Sequence, residues 1–265
     1  MLSGDPESRM TMNMYALWIG AERGLVTLIR VLTGDILELF KRRQIAKDQL
    51  NRFIVDNDFE ALSTVVVSQN LDEGLSAIIQ GHSIGPLQPN VVFMGWASDK
   101  ERSLPFIKHL ISIHDLGMSL ILLKDNGLPE NTNSRRIDIW WRGKANGSLM
   151  VIISHLLTLN YEWSEAKIRL LRLIQNEEGR APATNALKKM VDSARIDAEA
   201  QVIVSESPYT EVLHRHSSDA SVVFLGFMIP EEEDAEKFQA QYEGMLEGLP
   251  TTLLFCSSGE ADLMA

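Results

Sequence analysis

Residues 137–171 read IDIWWRGKANGSLMVIISHLLTLNYEWSEAKIRLL. Ile137–Trp141 is a short run of large apolar side chains, which reads as a buried strand. Neighbouring strand residues face opposite sides of a sheet, so Trp140 and Trp141 both need cover, one from each face. The glycine-bearing turn Gly143–Ser148 follows and opens a helix. Lys167–Ile174 (KIRLLRLI) is apolar again and reads as the next strand. Strand, helix and strand in succession form one parallel crossover unit.

Outward from this unit the same alternation continues. Apolar runs at Leu62–Ser68, Val91–Trp96, Ser119–Leu123, Ala200–Ser205, Val222–Phe227 and Thr251–Cys256 read as strands, as do Tyr15–Ile19 and Ile36–Lys41. Helical spacing is found in Gln44–Val55, Leu104–His114, Ala183–Ile196 and Glu236–Leu246. The fold class that follows is α/β with a mostly parallel sheet.

The pattern occurs twice. Asn90-VVFMGW matches Ser221-VVFLGF, Leu62-STVVVS matches Glu199-AQVIVS, and Ser119-LILLKDNG matches Thr251-TLLFCSSG. Leu25-VTLIRVLT is matched with Met150-VIISHLLT. The order is the same in both halves. Two copies of one β-α-β-α-β-α-β-α-β unit are expected, 1–132 and 133–265, meeting at the polar, turn-prone Pro129–Arg135.

Composition narrows function by exclusion. The chain has 265 residues, 45% hydrophobic and 23% charged, enough for two cores of ordinary size. Thirty-six acidic against 25 basic residues give a net charge of −11, which argues against nucleic acid as a partner. One cysteine, Cys256, leaves no intramolecular disulfide and no multi-cysteine zinc site. The longest stretch without charge, Gly74–Ser98, carries glycines, prolines and asparagine, so no membrane span is expected. Met1–Met10 is not a signal peptide.

No catalytic constellation, cofactor motif or metal-ligand spacing is present. The histidines His82, His109, His114, His155, His214 and His216 have no acidic partners at ligand spacing. There is no GxSxG elbow and no GxxxxGKS loop. Cys256 ends an apolar run and reads as a small core residue. Glu231–Lys237 begins a helix, where acidic charge suits the macrodipole. The one anion-site candidate is Gly143, Lys144, Gly147 and Ser148, whose amides at a helix start could hold a phosphate. The competing reading is a turn whose glycines permit close packing. The chain is not expected to be an enzyme.

Residues 137–171 resemble the cytosolic C-terminal domain of cation-chloride cotransporters. There, an I-D-[IV]-W-W strand leads through a glycine turn and an apolar helix with a leucine pair to a W-x-x-x-K-I-R step. Here these are Ile137–Trp141, Gly147, Leu156 and Leu157, then Trp163, Lys167, Ile168 and Arg169. Glu73-GLSAIIQGHSIGPLQPNVVFMGW, His216-SSDASVVFLGF and Leu249-PTTLLFCSSGE are similar to further stretches of that family. The resemblance implies two tandem universal-stress-protein-like subdomains, each doubly wound on a mostly parallel five-stranded sheet. It implies a non-catalytic regulatory and dimerisation domain on the cytoplasmic side of the cell membrane. Its partners would be a second copy and the membrane transport domain of the same polypeptide. It departs from the eukaryotic members in its short linker, where Thr132 and Ser134 are isolated hydroxyls, and looks like a prokaryotic or archaeal form. The alternative is a free-standing stress-type nucleotide-binding protein. Against it, Gly95-WASDKERS and Gly226-FMIPEEED lack the G-x-x-G pattern that family uses for nucleotides. The strands ending each half, Ser119–Leu123 and Thr251–Cys256, are candidate sheet edges for a dimer partner, and helix faces are an equal candidate.

Overall fold

The computed structural model of the chain describes residues 2–3, 6–20, 24–81, 88–129 and 135–259. The first half contains β1 (Leu2–Ser3), α1 (Met10–Gly20), β2 (Thr27–Thr33), α2 (Ile36–Asp56), β3 (Leu62–Ser68), α3 (Leu71–Gly81), β4 (Val91–Gly95), α4 (Ser103–Asp115) and β5 (Ser119–Lys124). The second contains β6 (Arg136–Trp140), α5 (Lys144–Leu159), β7 (Lys167–Ile174), α6 (Arg180–Ala194), β8 (Ala198–Val204), α7 (Tyr209–Ser217), β9 (Val222–Gly226), α8 (Ala235–Leu246) and β10 (Thr252–Cys256). The expected unit boundary at 132/133, with Thr132 and Ser134, lies outside the described residues, as does His82.

The strands form a three-stranded sheet, β1-β2-β3, and a seven-stranded sheet, β4-β5-β10-β9-β6-β7-β8. Neighbouring strands run parallel except at β5–β10. The second half alone has the order β8-β7-β6-β9-β10, with the crossover helices distributed over both faces. The first half is divided. Its β4 and β5 extend the second half's sheet, while β1–β3 stand apart. Two apolar cores result, on opposite faces. One holds Trp140, Val223, Leu225 and Leu254; the other holds Trp141, Ile139, Phe224 and Phe255. The adjacent tryptophans are buried on the two faces, as their alternation requires.

Four expectations are corrected. Tyr15–Ile19 is helical, inside α1, which buries Met12, Tyr15 and Trp18. The run Tyr, Ala, Leu, Trp, Ile holds a β-branched residue only at Ile19, so nothing local enforces extension. Ile36–Lys41 opens α2, because Asp35 accepts a hydrogen bond from the Glu38 amide and caps the helix there. Met150–Thr158 lies in α5, whereas Leu25–Thr33 runs into β2, so those two segments are not repeat partners. Leu149, Ile153 and Leu157, spaced four apart, bury one side of α5 and override the strand preference of its β-branched residues. The ladders supply the correct match. Thr27 pairs with Leu62, and Arg169 pairs with Glu199, the repeat partner of Leu62. Hence TLIRVL of β2 corresponds to RLLRLI of β7.

The fourth correction concerns the expected dimer edges. β5 and β10 are not edges; they pair with each other, Leu122 opposite Leu254 in antiparallel register. Each half thereby covers the other's terminal strand, which removes two exposed ladders. Among the described residues the edges of the seven-stranded sheet are β4 and β8.

Candidate functional site at the seam of the halves

In α/β folds, ligands settle at the carboxyl ends of the strands. For β4 and β5 that place is occupied by α8 of the other half. Glu243 accepts from the Trp96 indole Nε1 at 2.7 Å and from Lys124 Nζ at 2.5 Å, and Lys124 also donates to the Ser98 hydroxyl at 3.1 Å. Gln239 donates to the carbonyls of Ala97 and Asp99 at 2.5 and 3.0 Å. The Trp96 ring packs among Phe106, Phe238 and Tyr242. Burial works to raise the Glu243 carboxyl, but the bonds from Lys124 and Trp96 outweigh it and hold the group below the usual carboxylate range. One turn later Asn126 Nδ2 donates to the Leu249 carbonyl at 2.8 Å, and Thr251 donates to Gly127 O at 2.6 Å. The seam is a continuous polar and aromatic zip between helix and strand ends of different halves.

The corresponding end of the second half is where Gly143, Lys144, Gly147 and Ser148 fall. Gly143 precedes α5 in extended backbone and Lys144 is its first residue. Gly147 and Ser148 are buried. A Cβ on Gly147 would sit 2.1 Å from the Trp141 ring, so glycine is required there to let the indole lie against the helix. Asn146 donates to the Phe227 carbonyl at 2.7 Å and accepts from the Ser257 amide at 2.8 Å, tying the helix start to the ends of β9 and β10. The Trp141 indole lies against the start of α5 and Asn146 bonds across it to the ends of β9 and β10.

The sequence reading missed the largest polar cluster, around Asp138 in the middle of β6. Its side chain is fully buried. Arg169 donates to it through Nε at 2.8 Å and Nη2 at 2.6 Å, Arg136 through Nε at 3.2 Å, and Ser217 through its hydroxyl at 2.7 Å. Ser217 in turn accepts from the Trp140 indole at 3.0 Å, and Arg169 reaches the His216 carbonyl at 2.8 Å. Arg136 also pairs with Asp219. A buried carboxylate is tolerable only with this many charged donors. The cluster pins the end of α7 to the central strand. The available signal was an acidic residue inside an otherwise apolar five-residue run.

Two of the histidines are tied into the fold. His109 is buried and bonded to Asp72 at 2.9 Å, and His214 to the Met245 carbonyl at 2.9 Å. Burial pushes the Cys256 thiol up to about 11, which keeps it un-ionised and unreactive. Among the described residues no group of three or more His, Cys, Asp or Glu side chains could hold a metal, and no helix is long and apolar enough to cross a membrane.

With this geometry in view, known proteins supply context. No protein-family model matches the chain. It is 29% identical over 197 residues to cation-chloride cotransporter 1 of Arabidopsis thaliana, a match covering 70% of this chain and 20% of that protein. It is 24% identical over 196 residues to cation-chloride cotransporter 1 of Oryza sativa subsp. japonica, again over 70% of the chain. The chain is thus homologous to cation-chloride cotransporters over 70% of its length, and spans about one fifth of the length of these curated relatives. In fold it is similar to the crystal structure of the cytoplasmic domain of a prokaryotic cation chloride cotransporter, with TM-score 0.70, 16% identity, and coverage of 98% of this chain and 96% of that one. It is also similar to a universal stress protein from Archaeoglobus fulgidus DSM 4304, with TM-score 0.61, 10% identity and the same coverages. The α/β fold with a mostly parallel sheet is that of universal-stress-protein-like structures.

Proposed function

We propose that the chain is the cytosolic regulatory domain of a secondary-active cation-chloride cotransporter, a non-catalytic unit at the cytoplasmic face of the cell membrane. It is joined there to a transport domain of the same polypeptide, and two copies pair. The observation that carries this reading is the homology to cotransporters over 70% of the chain. The site geometry supports it. At the carboxyl ends of the strands, Glu243 and Gln239 bond across to the other half, and Trp141 and Asn146 pack about the start of α5. That suits a body which transmits position rather than one that turns over a substrate. The division into units 1–132 and 133–265 belongs to the same proposal, with the seam as the joint between them.

Fractionation of source cells, with an antibody against this domain, tests the reading. The expected result is a membrane-bound band far above the 29.7 kDa of the chain. A soluble band near that mass would overturn it. Sedimentation equilibrium of the purified chain addresses pairing: a dimer is expected, and a strict monomer at high concentration removes that element.

A further inference from the structure

The start of α2 carries apolar side chains that the fold leaves uncovered. α2 runs from Ile36 to Asp56, about 31 Å at the helical rise, whereas β3 beneath it spans about 23 Å. Its buried residues, Ala46, Leu50, Phe53 and Ile54, all lie in its later part, and residues 36–45 contribute none. Leu37 is 79% exposed, Phe40 58% and Ile45 56%. Single exposed apolar side chains are ordinary, but three within nine residues of one helix form a patch. Helical spacing puts Leu37 beside Phe40 and in one row with Lys41 and Ile45. Gln44 and Lys47, four and seven residues on from Phe40, complete the same solvent side.

The charge of this stretch is the reverse of the chain's. Leu37–Lys47 holds Lys41, Arg42, Arg43 and Lys47 against one acidic residue, Glu38, in a chain of net charge −11. Among the described residues none of these four basic groups meets a carboxylate at ion-pair distance. Arg43 donates through Nε to the Val65 carbonyl at 3.0 Å, and Lys41, Arg42 and Lys47 are exposed. Asp48, one residue further on, accepts from Gln44 at 2.9 Å. Charges are screened beyond a Debye length of about 10 Å, so a surface approaching α2 meets this local charge rather than the net one.

We propose that this side of α2 is a contact surface for an anionic lipid bilayer. Leu37, Phe40 and Ile45 enter the headgroup layer, and Lys41 and Lys47 reach the lipid phosphates with their aliphatic stems laid along the apolar side chains. Arg42 and Arg43 add attraction from the flanks. Basic and apolar groups mixed on one exposed helix side match such a surface in both charge and polarity. A second copy of the chain fits less well, because a two-fold pairing through this side would bring the same lysines face to face. An acidic peptide would need a groove, whereas residues 36–45, none of them buried, form a ridge. The contact is additional to the covalent attachment proposed above and does not rest on it.

Co-sedimentation of the purified chain with vesicles tests the proposal. Vesicles of phosphatidylcholine with about one third phosphatidylserine should retain the chain at low salt, and phosphatidylcholine alone should not. Lys41→Glu with Lys47→Glu is expected to weaken partitioning about thirtyfold or more, and Leu37→Ser with Phe40→Ser about tenfold. Lys188→Glu with Lys189→Glu, exposed on α6, is the control and should leave partitioning unchanged. If a variant folds badly, Leu37→Cys carrying a polarity-sensitive fluorophore gives the answer in an otherwise unaltered chain, since Cys256 is buried. Its emission should move to shorter wavelength on the anionic vesicles. No retention on those vesicles overturns the proposal, as does an equal loss in the control, or a fluorophore that stays in water while the chain is retained. A dimer that the Leu37 and Phe40 variant dissociates in sedimentation equilibrium also overturns it, and marks this side as the seat of a second copy.

Discussion

The second half has its first strand at the centre of the sheet, and among the described residues the first half has only Leu2 and Ser3 paired at the corresponding side of β2. Around β6 the consequences are concentrated. The strand is paired on both sides, one tryptophan enters each core, and Asp138 gathers Arg136, Arg169 and Ser217. Along β2 a cavity of about 770 Å³ lies between Leu25–Ile29 and Asn90–Phe93, and among the described residues the sheet parts between β2 and β4. The comparison shows that in the second half β6 is the element to which both faces are fastened. The first half compensates by leaning on the second, through β5 on β10, α8 on the ends of β4 and β5, and α1 on α5. Near the last contact the rings of Tyr15 and Trp18 pack at an angle against Trp163, and the Arg135 guanidinium lies over Trp18 and Trp163.

The largest effect is expected from Asp138→Ala. It leaves Arg169 and Arg136 without their buried counter-charge, and removal of one partner of such a group costs about 3–5 kcal/mol. A shift in the urea midpoint measures it; a loss below about 1 kcal/mol would break the idea that β6 is the fastening strand. Gly147→Ala comes next. The added methyl meets the Trp141 ring, and forced repacking of that kind costs roughly 1–3 kcal/mol. Thermal unfolding should show a lower Tm, with near-ultraviolet dichroism reporting the displaced indole.

At the seam, Glu243→Gln removes the charge that Lys124 and Trp96 share. The carboxylate side chain is 38% exposed, so solvent screening reduces the effect to about 0.5–1 kcal/mol. If urea unfolding of this variant splits into two transitions, the seam is what makes the halves cooperative.

Acid should loosen the molecule in two windows. Burial, with help from Arg169 and Arg215, holds the His216 imidazole below its ordinary 6.5. A group whose folded value is lowered contributes its stability above the unfolded value, so a small loss is expected as pH falls below 6.5. Asp72, Asp219 and Glu243 are likewise lowered. At Asp72 and Glu243 burial opposes the shift and hydrogen bonds outweigh it, from His109 and Arg102 and from Lys124 and Trp96; at Asp219 the bond from Arg136 leads. Their contribution is complete above the ordinary carboxylate values and is lost as pH falls through the lower folded ones. Urea midpoints should decline slightly from about pH 7.5 to 5.5 and more steeply toward pH 3.5; a midpoint that rises on acidification contradicts these assignments.

The sequence made the second half legible because its strands are near-continuous apolar runs and its turns carry glycine. Trp140 and Trp141 announced a sheet covered on both sides. Local pattern misled where composition was neutral between states, as at Tyr15–Ile19, where Ala and Leu serve a helix as well as a strand. The strand Thr27–Thr33 is not among the expected apolar runs, although Lys167–Ile174, its counterpart in the second half, is. What lay wholly beyond reach was the chemistry between distant segments. Asp138 meets Ser217 across 79 residues, and Trp96 meets Glu243 across 147, with no spacing in the chain to announce either. The antiparallel pairing of β5 with β10 was hidden for the same reason: two apolar runs carry no label for which neighbour each will choose.

That the two halves differ at their first strands is tested most directly by comparing amide exchange at matched positions. Thr27 and Ile29 line the cavity beside β2, and Arg169 and Leu171 pair with β6. Native-state exchange should be at least about tenfold faster at the first pair than at the second. Equal protection at both would mean that β2 is covered on that side as β7 is, and would contradict the account.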